Sequence, residues 1–325
     1  MLTSFGITEL NQFVEIYFYT LPLALLFMPE LFLLVIALIV LAIGSFTDFR
    51  SREVPDWLSY AGIVLGALIR IVWSITSSDY HPLLWGVLGF AIFWLVGAVM
   101  YYTGQWGGGD AKILMALGTI MGVQLSVPGV QFSWYSWYTI LWSDFMISFL
   151  INSLLIGAVY GIVWLALLSI KKYAELNQSW ITILARESSL HWASLSSFVI
   201  CIALALFLPV GLQPVMLLLA VWCLLFFYLF VWLKSVEESC MKVQLPVSQV
   251  TEGDWIAEEV VVSGKRICGP HYEGITKKQL ELLQKLSMQG KIKQVLVKQG
   301  IPFVPNFLIA FVVTMVAGNL VLFLP

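Results

Sequence analysis

Gly104-Gln105-Trp106-Gly107-Gly108-Gly109-Asp110-Ala111-Lys112 is the stretch that decides how the chain is read. It lies between two long apolar runs. Burying a charge at membrane depth is expensive, so an aspartate there points to function. Glycine is a poor helix interior, at about 1 kcal/mol relative to alanine, but it allows a tight path with no Cβ in the way. Irregular backbone at membrane depth is tolerated only where protein buries it or a wet cavity borders it. The stretch is therefore expected to break two helices apart and present one carboxyl group to a pocket. Its expected companion is Asp48, at the end of the first apolar run.

The surrounding composition agrees. Of 325 residues, 60% are hydrophobic and 11% charged, with mean hydropathy +0.91. A soluble domain carries about 25% charged residues, so the expected fold is an all-α polytopic membrane protein, with the lipid bilayer as its first partner. Apolar runs cover 22–47, 57–76, 82–103, 111–127, 145–170, 193–209, 212–234 and 304–324. These predict eight transmembrane helices, or seven if Pro209-Val210-Gly211 is a kink and not a turn. The first 49 residues contain no Lys or Arg, so the basic region of a secretory signal is missing and the first run reads as a resident helix. Cys201, Cys223, Cys240 and Cys268 form no C-x-x-C pair, and His81, His191 and His271 are isolated. No metal site, cofactor or nucleic-acid partner is expected; the oligomeric state is left open.

Basic residues orient the helices. Arg50 and Arg52 follow the first, Lys112 opens the fourth, and Lys171, Lys172 and Arg186 follow the fifth. Ten more run from Lys234 to Lys298, between the seventh and eighth. With eight helices all of these fall on one side, the cytoplasmic one, and only Arg70 on the other. Asp48 and Asp110 then sit at cytoplasmic helix ends. Tyr17, Tyr19 and the Trp/Tyr-rich 128–144 loop are expected at interfaces. A seven-helix chain would put the most basic segment outside, which favours eight.

Three regions follow: a membrane domain over 1–234, a small α+β cytoplasmic module over 235–303, and a last helix over 304–325. Residues 171–192 are expected as a cytoplasmic loop or a short helix lying on the membrane. Within the module, Trp255–Val262 reads as a strand. Thr276–Leu286 reads as a helix capped by Thr276, and Lys291–Val297 as a second strand.

For each carboxylate a plain role competes with a chemical one. Asp48 in that role is a surface residue paired with Arg50 or Arg52; Asp110 is the N-cap of the fourth helix, and Asp56, after Pro55, that of the second. Lys112 either snorkels or steadies a nearby charge, and Trp106 packs the glycine loop. In the chemical reading Asp48 and Asp110 form a dyad. Two carboxyls sharing a site cannot both ionise cheaply. The charged one takes a proton from water and the neutral one polarises the scissile carbonyl. The pair titrates as a unit, so neither role is assigned to one residue.

The G-x-W-G-x-G-D pattern of Gly104, Trp106, Gly107, Gly109 and Asp110 resembles that of the type IV prepilin peptidases, GxGD intramembrane aspartyl proteases. The continuation Ala111–Gly118 is also similar. Asp48, with basic residues and Val54-Pro55-Asp56 after it, resembles their first catalytic segment, and the 62-residue separation fits. The likeness is strong over 44–124. Gly300-Ile301-Pro302-Phe303-Val304-Pro305 and the last helix look like archaeal members. The resemblance implies catalysis by Asp48 and Asp110, with support from Gly104, Gly107, Gly109 and Lys112. It also implies substrates among prepilin-like proteins and archaellins, whose class III signal peptides carry a short basic segment and are cut at the cytoplasmic face. Bacterial members carry a cysteine-rich loop that this chain lacks, so no methyl transfer is inferred.

A proton-coupled transporter using the two aspartates as a relay is the competing function. It predicts inverted repeats and midplane charge, whereas the fifth to seventh apolar runs are nearly uncharged and both aspartates lie near one face.

Overall fold

The computed structural model describes residues 29–123, 145–262, 264–271 and 274–323. Tyr17, Tyr19 and the 128–144 aromatic loop lie outside the described residues. Among the described residues, six helices are long and apolar enough to cross a membrane, as expected of a multi-pass membrane protein. The chain divides into two compact units, one of residues 1–159 with 302–325 and one of residues 160–301.

The first unit holds α1 (Pro29–Ser51), α2 (Asp56–Ser77), α3 (His81–Tyr102), α4 (Gly108–Met121), the start of α5 (Phe145–Lys171) and α10 (Val304–Ala317). Arg52 ends α1 in a left-handed conformation, φ 61°, its N–H on the Asp48 carbonyl at 2.9 Å. Pro55 then caps α2 from an extended conformation, which makes Asp56 its first residue and not its N-cap. Leu33, Leu41, Ile113, Leu114, Leu117, Phe149, Phe307 and Phe311, all fully buried, form the core against which these helices close.

α4 is shorter than the apolar run of 111–127. It stops at Met121 because Gly122 takes φ +60° and folds its N–H back to Gly118 O. The next free carbonyls meet a buried cation. Arg70, 1% exposed, donates to Thr119 O (2.8 Å), Ile120 O (2.8 Å) and Pro82 O (2.7 Å). Arg70 is thus the C-terminal cap of α4 and ties it to α3. α3 and α4 can approach closely because a Cβ at Gly89 would lie 2.3 Å from Gly118 O, so only glycine fits. α10 is also shorter than its apolar run. It ends at Ala317 before Gly318 (φ 71°), and a 3-10 turn over Leu320–Phe323 follows. Helices of 14 residues extend about 21 Å, against roughly 30 Å of hydrocarbon.

In the second unit, α6 (Tyr173–Arg186) is an amphipathic helix where a loop or surface helix was expected. It buries Ile183 and stacks Trp180 on Tyr228 of α8 (Gln213–Ser239). α7 (Ser188–Phe207) packs along α8, with His191 stacked on Phe227. The chain turns between them, where Leu208 is extended (ψ 153°). Pro209-Val210-Gly211 is therefore a connection between two helices, and the kink of the seven-helix alternative is overturned.

β1 (Lys242–Pro246) and β2 (Trp255–Ile256) flank β5 (Gln294–Lys298), both antiparallel to it. β3 (Val260–Val262) and β4 (Lys265–Cys268) make a separate hairpin with a bulge at Val260/Val261. The single strand expected over Trp255–Val262 is thus two strands in two sheets. α9 (Lys277–Met288) starts as expected at Thr276, in a capping box with Gln279. Leu283 of α9 packs with Val247, Ile256, Ile267, Val295 and Val297 into one small core.

Candidate active site

Asp48 lies in the last turn of α1 and is 6% exposed. Its Oδ2 accepts the main-chain N–H of Val304 at 3.0 Å. Val304 is the first residue of α10, so that N–H has no partner within its own helix. The start of a helix also carries partial positive charge. Asp48 is accordingly a buried carboxylate with a main-chain donor, not the surface residue of the plain reading.

Asp110 is held in a parallel way. The glycine break is real: α3 ends at Tyr102, Gly104 takes φ +70°, and α4 begins at Gly108. Gly107 is the N-cap and Asp110 the third residue of the helix, where its Oδ2 accepts the Gly107 N–H at 3.0 Å. The N-cap expected at Asp110 thus falls at Gly107, although the residue still serves the helix start. Asp110 is half-buried, and the charge of Asp48 acts on it directly. Sequence reasoning paired these two residues, and in the fold each accepts a main-chain N–H at the start of a helix.

Close packing makes this arrangement possible. One turn before Asp48, a Cβ at Gly44 would lie 3.2 Å from Val304 Cγ1, 3.4 Å from Ile113 Cδ1 and 3.5 Å from Leu58 Cδ2. Side chains of α10, α4 and α2 therefore converge on a residue of α1 that has none. Trp106 is 7% exposed and packs its ring on Phe303 (centroids 5.4 Å apart) and Phe307 (5.2 Å). Its role is packing, as expected, but its partners are at the start of α10.

Lys112 does not snorkel free. Its Nζ binds Asp56 Oδ1 at 2.6 Å, in a pair that is partly solvent-exposed. The bond joins the first turns of α4 and α2. No cluster of three or more His, Cys, Asp or Glu suited to a metal occurs among the described residues. Sequence reasoning missed Val304 and Gly44. Pro305, which opens a helix, and the Gly44-Ser45 pair near Asp48 were the available signals.

These features define a polytopic protein in which a carboxylate at the end of α1 and one in the first turn of α4 each accept a main-chain N–H at the start of a helix. Residues 33–162, which contain both, match the type IV leader peptidase family. The chain is 40% identical over 87 residues to a preflagellin peptidase of Methanococcus maripaludis, covering 27% of this chain and 37% of that one. It is 33% identical over 101 residues to the preflagellin peptidase of Methanococcus voltae, 31% of this chain and 40% of that one. Identity to the prepilin peptidase EppA of Methanothermobacter thermautotrophicus is 24% over 131 residues, 40% and 34% of the two chains. The matches thus span 34–40% of these relatives' own length.

Proposed function

We propose that the chain is a membrane aspartyl endopeptidase that removes class III signal peptides from prepilin-like or archaellin precursors. Asp48 and Asp110 are its catalytic pair, and the active site faces the cytoplasm. The observation that carries the reading is the geometry of the pair: two carboxylates from distant segments, each held by a main-chain N–H at a helix start, with the charge of Asp48 reaching Asp110. The names of the similar proteins support the substrate class.

In this reading one carboxylate is ionised and takes a proton from a water. That water attacks the carbonyl carbon of the scissile peptide. The protonated carboxyl donates a hydrogen bond to the carbonyl oxygen as negative charge builds there, and the proton taken from water passes to the leaving amine. Fixed carboxylates in a partly water-excluded site need little reorganisation as the charge moves. The orientation rests on the basic residues after α1, α5 and α8, which would face the same compartment as the precursor's basic segment.

The test is a cell-free membrane preparation containing the full chain, supplied with precursors bearing basic leaders. A product whose new N-terminus lies at the leader junction is expected. Intact precursor across several leaders would overturn the proposal.

A further inference from the structure

The N–H that meets Asp48 comes from residue 304, far outside the 33–162 region that matches the peptidase family. The start of α10 is nonetheless packed as tightly as any part of the first unit. Val304, Asn306 and Phe307 are each 0% exposed. Gly44 leaves room for Val304 beneath Asp48, and Trp106 of the glycine loop packs on Phe303 and Phe307. On the α5 side, Asn306 Nδ2 donates to Ser153 O at 3.0 Å. Gly157 makes room for that amide, since a Cβ there would lie 3.0 Å from Asn306 Nδ2. At the other end of α10, Asn152 Nδ2 donates to Thr314 Oγ1 (2.9 Å) and Gly318 O (2.7 Å), and its Oδ1 accepts the Leu320 N–H (2.9 Å). Polar bonds inside a low-dielectric region fix an arrangement more firmly than apolar contacts, which tolerate sliding. Helix α10 is thus pinned in register along its length, and its first N–H is aimed at one oxygen.

We infer that the main-chain amide of Val304 is a positioning group for Asp48, and that the last helix completes the catalytic centre. It does for Asp48 what Gly107 does for Asp110. The Asp48 side chain has two rotatable torsions, and the Val304 N–H at Oδ2, with the main chain of Phe303 also acting on the carboxylate, holds it in one orientation. Donation at this point also favours the ionised carboxylate. The Val304 side chain has a different duty, filling the space over Gly44. The inference rests on the peptidase reading, because it assigns Val304 a part in that reaction.

The experiment replaces valine 304 by its α-hydroxy analogue in the full chain, so that an ester oxygen stands where the N–H was and the side chain is unchanged. Val304→Ala, which keeps the N–H, is made alongside, and both are assayed for precursor cutting at equal membrane levels. We expect the ester chain to lose about tenfold in kcat with KM within about twofold, the loss of roughly one hydrogen bond to a charged group. The acidic limb of its pH–rate profile shifts, because the pair titrates as a unit and one of its donors is gone. Val304→Ala loses packing over Gly44 and with it some rate, but because its N–H is kept the acidic limb stays where it is in the wild-type chain. An ester chain with wild-type kcat and pH profile would overturn the inference and leave the peptidase reading standing. Failure of the wild-type chain to cut would remove both.

Discussion

Gly109 lies so close to Val54 that a Cβ added there would sit 3.0 Å from Val54 Cβ and 3.2 Å from its Cγ2. The contact brings the first turn of α4, with Asp110, against the connection that follows Asp48. Gly109→Ala must therefore shift Val54 or the first turn of α4 by a few tenths of an ångström, and rate is sensitive to such shifts, a misplacement of about 1 Å in a reacting group costing about a hundredfold. Gly107 differs. Its φ of −70° suits any residue, and a Cβ there meets only Asp110 Oδ2, at 3.3 Å. We expect Gly109→Ala to lower precursor cutting at least tenfold and Gly107→Ala to lower it by much less. Equal losses would contradict this packing.

Arg70 carries a stability prediction. Two of its acceptors, Thr119 O and Ile120 O, are last-turn carbonyls of α4 that the helix's own N–H groups do not reach. Arg70→Met would leave them unpaired in a buried site, at a cost of roughly 3 kcal/mol or more. Gly86→Ala should act on the same cap, since its Cβ would fall 2.3 Å from Arg70 Cδ. Thermal unfolding in detergent is expected to show a lowered midpoint for both variants. An unchanged midpoint for Arg70→Met would mean that the cap does not hold α4.

Lys112→Gln tests whether the motif lysine is chemical. Its partly exposed bond to Asp56 is worth at most about 1 kcal/mol. Cutting within about threefold of wild type is expected, with Asp56→Asn behaving alike. A loss of a hundredfold in Lys112→Gln alone would give the ammonium a direct part in the reaction.

The α6–α7 junction should loosen in acid. Lys234 donates to Glu187 at 2.7 Å and holds its carboxyl below the usual 4.5, with Arg186 beside it. A depressed folded value means that the carboxylate stabilises at neutral pH. The contribution is complete above 4.5 and is lost as pH falls through the lower folded value. Hydrogen exchange of the 187–191 amides, corrected for intrinsic rate, should quicken as pH drops below about 4.5. In Glu187→Gln that acid-dependent quickening should be absent.

Much of this molecule could be read from local signals. The helix break at 104–107 followed from four clustered glycines, and the start of α9 from Thr276 and Gln279. The proposed pairing of Asp48 with Asp110 came from two motifs at the ends of apolar runs. What could not be read depends on distant partners. Val304 carries no polar side chain, so its bond to Asp48 through the main chain leaves no trace in residue type. The early end of α4 is set by Gly122 and by Arg70, some 50 positions away. The Trp255–Val262 run divides because β2 pairs with β5 while β3 pairs with β4, and β-propensity alone does not distinguish partners.

The most direct test of the account compares precursor cutting by the wild-type chain with Asp48→Asn and Asp110→Asn, at equal protein levels in membranes. Asparagine keeps the size of each side chain and can still accept the N–H of Val304 or Gly107, but it cannot take a proton from water or share one with its partner. The account predicts cutting by wild type and a loss of at least a thousandfold in each variant. Cutting that persists in either variant would remove that aspartate from the mechanism and contradict the dyad.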